Sequence, residues 1–451
     1  MGLTGIQIFK LLPKKNCKEC GQPTCLAFAM QLAQGKTELS KCPYVSDEAK
    51  AKLAEASEPP IRGVVIGTGD EQYKIGEELV LYRHDKTFFN PPLIGVLFKD
   101  TEDDATIDAR LKNFNEVSFE RVGYILKAHL AVVKNESGDA GKFTALLQKI
   151  KDNTKKPIMA MSDDVAALEQ AAGILKGTKG VLYAATEENY EKLVDIAKAN
   201  ELSLVLKAPI EKVAELTPKI VEKGFKDIIL DTEARDAKTM FQHNTFVRRL
   251  ALKKKDKAYG FPTCNLIYEM TDDEIKEATI AALAIAKYGG IIVISDCKPE
   301  VILPLAIQRL NIYTDPQRPM VVEQGIYPIN EPDENSPVIV TTNFALTYFI
   351  VAAAIEASRV PTWLVIMDVE GMSVLTAWSA GKFVADAIAP FIKKVGIADK
   401  IKHRKIIIPG YVAQISGELQ EELGEDWEVV IGTREAADIP AFLKEYVAKN
   451  Q

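Results

Sequence analysis

Cys17-x-x-Cys20-x4-Cys25, followed by Cys42-Pro43, places four of the chain's six cysteines between Asn16 and Pro43. Four soft thiolates within about thirty residues can encircle a metal ion or an iron–sulfur cube around which so short a segment then orders. Cys17, Cys20 and Cys25 share one tight loop, Lys18-Glu19-Cys20-Gly21-Gln22-Pro23, where Gly21 permits conformations a side chain forbids and Pro23 stiffens the approach to Cys25. Cys42 returns after a helix-like run from Cys25 to Ala33. Structural zinc sites usually pair two Cys-x-x-Cys knuckles, whereas here a single knuckle is followed by a four-residue gap. Disulfides need an oxidising compartment, and nothing upstream looks secretory. The Cys42-Pro43 ending is of the ferredoxin type, so the spacing favours an iron–sulfur cluster, cubane rather than smaller.

Charge points the same way. Residues 1–57 carry eight lysines against five acids, a local excess of +3 in a chain whose net charge is −7. Lysines around an anionic cluster favour its assembly and invite an acidic redox partner. With a pI near 5.5 and no Lys/Arg stripe interleaved with aromatics, the chain is not built for nucleic acid. No run reaches the roughly 18 apolar residues of a membrane span. The opening Met-Gly-Leu-Thr-Gly-Ile has no signal-peptide core, and a cytoplasmic protein is expected.

At 451 residues, two or three domains are expected. After a cluster module over 1–58, Ser57-Glu58-Pro59-Pro60 makes a stiff polar break, and 59–92 reads as a linker with short strands at Val64–Gly67 and Glu78–Tyr82. From 93 to 318 short apolar runs recur at Ile94–Phe98, Leu130–Val133, Ile158–Met161, Val181–Ala184, Leu204–Leu206, Ile228–Asp231, Thr263–Leu266 and Ile291–Ser295. Between them lie amphipathic stretches such as Glu187–Ala199, Pro209–Lys223, Ala234–Lys253 and Asp272–Lys287. Eight strands alternating with helices is the count of a TIM (β/α)8 barrel. Cys264 and Cys297 fall in it as isolated small apolar residues, and His84, His129, His243 and His403 form no metal-binding spacing.

Prolines crowd the stretch Asp315–Pro337, which reads as a second linker or a surface wrap. The domain over 319–451 then alternates strands at Val338–Val340, Trp363–Met367, Ile406–Ile408 and Trp427–Ile431 with helices at Phe344–Ser358, Thr376–Lys393, Val412–Leu423 and Glu435–Lys449. That is an open doubly wound α/β sheet, which takes its ligand beyond the carboxyl ends of the strands. The candidates there are Thr341, Thr342, Asn343, Phe344 and Thr347, then Glu370, Gly371, Met372, Ser373, Val374 and Thr376, then Pro409 and Gly410, and finally Gly432, Thr433, Arg434 and Glu435. Small or hydroxyl residues beside free helix amides suit a large cofactor with polar edges and a phosphate. Neither Gly-x-Gly-x-x-Gly nor a P-loop occurs in this domain, which argues against dinucleotides and nucleoside triphosphates.

Taken together, Cys17-Lys18-Glu19-Cys20-Gly21-Gln22-Pro23-Thr24-Cys25 with Cys42-Pro43, the central barrel and the turn Asp368-Val369-Glu370-Gly371-Met372-Ser373 resemble the large (gamma) subunit family of the corrinoid/iron–sulfur proteins of acetyl-CoA-forming anaerobes, over essentially the whole chain. The resemblance implies a [4Fe-4S] cluster on Cys17, Cys20, Cys25 and Cys42 and a cobamide in the C-terminal domain. It also implies a methyl carrier. Co(I) would accept a methyl group from methyltetrahydrofolate through a partner methyltransferase and deliver it to acetyl-CoA synthase/CO dehydrogenase, while the cluster, fed by a low-potential electron donor, returns an electron to Co(II). A smaller subunit would complete a heterodimer. Many corrinoid carriers place an Asp-x-His-x-x-Gly histidine under the cobalt; no such motif is present, so a base-off corrinoid without a protein histidine is expected, with Thr376 or a neighbour at the lower face. A self-contained pterin-dependent methyltransferase using the barrel is the alternative reading.

Overall fold

The computed structural model describes residues 5–33, 36–46, 49, 50, 53, 59–121, 123–315 and 319–450. Ser57 and Glu58, half of the break expected after the cluster module, lie outside the described residues, as does Pro316 in the expected second linker. The chain divides into two compact units, Met1–Phe119 with Leu126–Tyr313, and Glu120–Ile125 with Thr314–Gln451. Among the described residues no helix is long and apolar enough to cross a membrane.

The first unit begins with two short helices, Gly5–Leu11 and Cys25–Ala33, packed around Ile8, Leu12, Phe28 and Ala29. In chain order the strands up to Tyr313 are β1 (Val64–Ile66), β2 (Tyr73–Ile75), β3 (Leu93–Lys99), β4 (Ser118–Arg121), β5 (Tyr124–Lys127), β6 (Leu130–Lys134), β7 (Ile158–Met161), β8 (Val181–Ala185), β9 (Ser203–Lys207), β10 (Ile228–Asp231), β11 (Cys264–Leu266) and β12 (Ile291–Ile294), and the Glu120–Ile125 part of the β4–β5 hairpin belongs to the second unit. Eight of these run parallel in the order β10-β9-β8-β7-β6-β3-β12-β11, and a bridge from Leu230 to Thr263 joins the outer two into a barrel. Alternation decides which side chain goes where. Leu93, Leu97, Val132, Val205 and Val293 fill the interior, while Ile94, Val96, Phe98, Ala131 and Val133 face the surrounding helices. The β1–β2 hairpin adds Val64, Ile66 and Ile75 to the interior cluster, and Gly67 N donates to Lys179 O just ahead of β8, so the hairpin plugs the amino-terminal end.

Two expectations are corrected here. Glu78–Tyr82 is not a strand, because Glu78 turns its carboxylate inward to accept from Phe89 N and Asn90 N (3.0 and 3.2 Å) and to meet Arg248 at 3.4 Å. The helix expected to Lys253 ends as α-helix at Arg249 and continues as a π turn over Leu250–Lys254. The β4–β5 hairpin was not anticipated at all.

In the second unit the strands are β13 (Gly325–Ile329), β14 (Val338–Thr342), β15 (Thr362–Met367), β16 (Lys405–Ile408) and β17 (Glu428–Ile431), in the order β13-β15-β14-β16-β17. All pair in parallel except β13, which is antiparallel to β15. β13 lies inside the stretch expected to be a linker: an edge strand tolerates Pro328, whose missing N–H costs no ladder bond there. Ile339, Leu364, Ile366 and Ile407 pack against the helices Ala345–Ser358 and Ile439–Asn450 on one face. Val338, Val340, Val365 and Ile406 pack against Ala385–Val395 and Ser416–Leu423 on the other. The helix expected over Thr376–Lys393 is two, Val374–Ser379 and Ala385–Val395, because Gly381 enters the left-handed region (φ 70°) and stops the first. The chain leaves β14 for β15 on one side and returns to β16 on the other, which puts the switch point of the sheet at Thr341, Thr342 and Pro409.

Candidate functional site

All six cysteines are free thiols. Cys25 opens the helix Cys25–Ala33, and Cys25 and Cys42 are buried in the module's small core, against which Cys20 also packs. The loop that presents Cys17 and Cys20 takes left-handed backbone at Asn16 (φ 48°), Lys18 (φ 65°) and Gly21 (φ 77°). Asn16 ties that loop to the helix: its side-chain Oδ1 accepts from Cys25 N (2.8 Å) and its own N–H donates to Cys25 Sγ (3.4 Å). Tyr44 donates to Glu19 at 2.7 Å, and that carboxylate raises the Tyr44 pKa, with Cys17 and Cys42 contributing in the same direction. Asn16 and Tyr44 were missed from sequence; an Asn directly before Cys17, a residue type that tolerates φ > 0, was the available signal for the first.

Among the described residues no three Cys, His, Asp or Glu side chains already form a group able to hold one metal ion. Cys20, Cys25 and Cys42, sharing one small core, are a donor set of soft thiols that suits a soft metal ion or an iron–sulfur cluster.

In the second unit a cleft of about 400 Å³ opens at the switch point. Of the residues picked out by sequence, Thr341, Thr347, Ser373, Val374, Pro409, Gly432, Thr433, Arg434 and Glu435 line it. Its remaining wall is apolar, supplied by Ile339, Ile350, Val351, Ile407, Ile439 and Phe442, and these the sequence reading did not single out. Ile350 and Leu375 stay about half exposed at the rim. The Thr341 hydroxyl is buried with no hydrogen-bond partner, as is that of Thr342 behind it. An unpaired buried hydroxyl costs roughly 1–3 kcal/mol, and one facing an apolar cleft is positioned to meet a ligand's polar edge. Tyr411 donates to Glu435 across the mouth, and Glu435 raises the Tyr411 pKa, keeping the phenol protonated.

Asn343, Glu370 and Gly371 form the frame rather than the lining. Asn343 Nδ2 donates to Asp368 Oδ1 (2.7 Å), and its Oδ1 accepts from Val369 N and Gly371 N (both 3.0 Å). That clamp holds Glu370 and Gly371 in consecutive left-handed conformations (φ 58° and 73°). Val322 N and Asn343 O, and Ala345 N and Met320 O, bond at 2.9 Å, so the segment Pro319–Val322 runs over Asn343 and Phe344. A Cβ at Gly371 would meet Val321 at 2.6 Å and Pro319 at 2.7 Å. The close approach that Gly371 permits is therefore by its own chain. Gly371→Val should destabilise this unit by on the order of 2–3 kcal/mol, combining left-handed strain with overpacking, and Gly371→Ala by less; denaturant unfolding measures both. Met372 packs at the edge of the core, and Thr376 Oγ1 bonds Ser373 Oγ at 2.9 Å on the exposed side of the turn.

Of the four histidines, His403 alone belongs to this unit. Its Nδ1 accepts from Lys405 N (3.1 Å), which leaves Nε2 as the donor to Ser336 O (3.0 Å). Both nitrogens are engaged at the amino end of β16, the opposite end from the cleft.

Beyond the carboxyl ends of β8 and β10 the polar groups form one network. Arg235 holds Asp231 through two nitrogens (3.0 and 2.8 Å) and Glu269 through Nε (2.5 Å), while Tyr183 donates to Asp231 at 2.6 Å. Asp231 is buried, and its negative charge together with burial keeps the Tyr183 phenol protonated. Cys264 and Cys297 are buried.

A family model described as CO dehydrogenase/acetyl-CoA synthase delta subunit matches residues 63–443, and one described as an Fe-S cluster family matches residues 12–44. The corrinoid/iron-sulfur protein large subunit of Moorella thermoacetica is 40% identical over 449 residues, covering 99% of this chain and 100% of that protein. The acetyl-CoA decarbonylase/synthase complex subunit gamma of Methanocaldococcus jannaschii is 33% identical over 485 residues, covering 100% of this chain and 99% of that one. Its counterpart in Methanopyrus kandleri is 33% identical over 455 residues, covering 98% and 97%. A cysteine module, a (β/α)8 barrel and a doubly wound C-terminal sheet, matched end to end in this way, make the chain a member of the corrinoid/iron–sulfur protein large-subunit family.

Proposed function

We propose that the chain is a methyl carrier with a [4Fe-4S] cluster on Cys17, Cys20, Cys25 and Cys42 and a cobamide in the switch-point cleft, held without a histidine beneath the metal. The observation that carries this reading is the cleft itself: apolar walls, a buried unpaired Thr341 hydroxyl, and Gly410 and Gly432 in backbone contact where a side chain would intrude. When bound, a cobamide supplies a nucleophilic cobalt that takes up and releases a methyl group. The chain's own residues do the rest. Ile350, Val351, Leu375 and Phe442 exclude water from the cleft, Thr341 and Thr433 offer hydroxyls to polar edges, and Asn343 fixes the turn that carries Ser373 and Thr376. With His403, the one histidine of this unit, committed elsewhere, the unit itself offers no imidazole as a strong axial donor, and a cobalt without one is easier to reduce.

The names of the relatives support a smaller partner subunit and an acetyl-CoA synthase complex around this chain. The methyl donor would be a methyltetrahydrofolate-dependent methyltransferase, and a low-potential donor would serve the cluster.

Anaerobically purified native protein tests the reading. Iron and cobalt should be found in roughly a four-to-one ratio, with superimposed cluster and corrinoid bands that respond separately to reduction. Zinc alone, or histidine nitrogen coupling on cobalt in the electron paramagnetic spectrum, would sink it. Methyl transfer from methyltetrahydrofolate to free cobamide by the chain alone would move the chemistry to the barrel.

A further inference from the structure

The helix Cys25–Ala33 begins with an N–H that no turn of its own helix can satisfy. Thr24 serves the donors further in, its Oγ1 accepting from Ala27 N at 3.1 Å and its carbonyl from Phe28 N at 3.0 Å. The N–H of Cys25 itself is met from nine residues upstream, by Asn16 Oδ1 at 2.8 Å, and Asn16 N returns a bond to Cys25 Sγ at 3.4 Å. The two bonds close a ring between one loop residue and one cysteine.

Closing that ring takes a backbone turned back on itself. Asn16 sits at φ 48°, in the left-handed region that asparagine enters more readily than most residues because its short amide bonds locally. Asn16 is also exposed and lies outside the module's core, so its replacement removes the ring without leaving a cavity.

We infer that Asn16 is a positioning residue for the electron-transfer step: its side chain pins the loop so that its N–H stays on Cys25 Sγ, and that bond raises the reduction potential of the cluster. The inference rests on the iron–sulfur reading of the four cysteines. Reduction adds one negative charge to a group that is already anionic, and part of that charge spreads onto the cysteine sulfurs. A donor fixed on one of those sulfurs bonds more strongly to the more negative state and so favours it. Losing the bond should shift the one-electron equilibrium about 10-fold toward the oxidised form, which is about 59 mV. A loop that is only loosened acts in the other direction, since water reaching the sulfurs stabilises the more highly charged state and raises the potential.

Redox titration of the full chain, followed by the electron paramagnetic signal of the reduced cluster, tests this in Asn16→Gly and Asn16→Ala. Glycine keeps the left-handed backbone and loses only the side chain, whereas alanine loses the side chain and strains the backbone as well. The midpoint should fall in the order unaltered protein, Asn16→Gly, Asn16→Ala. Coupling of an exchangeable proton to the reduced cluster, read by electron–nuclear double resonance, should weaken in the same order. If Asn16→Ala takes up no cluster, Asn16→Gly decides alone. A midpoint unmoved or raised in the variants that hold a cluster, or a cluster lost from both, overturns the inference about Asn16 while the iron–sulfur reading stands. An unaltered protein without a reducible cluster overturns that reading beneath it.

Discussion

Cys20→Ala is expected to abolish the [4Fe-4S] signal while methyl transfer from chemically pre-reduced protein keeps most of its rate. Cys20 is a cysteine whose loss should report on the cluster with less collateral damage than Cys25 or Cys42. Cys25 is bonded to Asn16 through both its N–H and its sulfur and opens a helix, and Cys42 is buried, so changing either disturbs the fold of the module. Cys20 is only half-buried, packs at the edge of the same core and takes no part in those bonds. With three cysteines left, a cubane lacks one iron ligand. Sustained turnover should then decay, because cobalt that loses an electron is no longer rescued; iron assays, electron paramagnetic spectra and a single-turnover methyl transfer separate the two effects. Simultaneous loss of cluster and single-turnover transfer would give the cluster a part in the transfer itself and contradict a reactivating role.

The sequence was most legible where burial is complete on both faces. Parallel barrel strands have no solvent side, so they read as short unbroken apolar runs, and Ile158–Met161 and Ile228–Asp231 have the same bounds in the structure. It was least legible at edges. Gly325–Ile329 hides in a proline-rich stretch because only an edge strand admits Pro328, and the hairpin Ser118–Arg121 with Tyr124–Lys127 lacks the apolar run that marks a core strand. The cleft shows the same division. The switch-point rule leads to hydroxyls and glycines at strand ends, Thr341 and Gly432 among them. It is blind to Ile350, Val351 and Phe442, which on a helix look like any core-facing residue until the cleft beside them is seen. Asn343 was picked out for its place at a strand end, but its three bonds to the next loop depend on a neighbour twenty-five residues away and have no local signature.

Gly410→Val should empty the cleft while leaving the cluster module intact. A Cβ at Gly410 would stand 2.6 Å from Gly432 O, 2.9 Å from Thr433 C and 3.0 Å from Arg434 N. Those are backbone atoms, held by the bonds from Gly410 N to Thr433 O (2.9 Å) and from Gly432 N to Ile408 O (2.8 Å). At Gly371, by contrast, the Cβ would meet the side chains of Val321 and Pro319, which have more freedom to give way. The loops after β16 and β17 can therefore relieve a valine only by parting, which carries Pro409, Gly432, Thr433 and Arg434 out of the lining they share. Overpacking of this kind costs about 1–3 kcal/mol, too little to unfold a sheet with its own core around Val340, Val365 and Ile406. Cobamide affinity should drop about 10-fold or more if a cost of that size falls on binding, read as cobalt per chain after equilibration with limiting cobamide, with iron per chain unchanged, because the cysteine module belongs to the other compact unit. Gly410→Ala should fall between, since it brings the same first carbon without the branches. Full cobalt occupancy in Gly410→Val would mean that the cofactor binds away from this cleft, and the placement proposed for it would have to be abandoned.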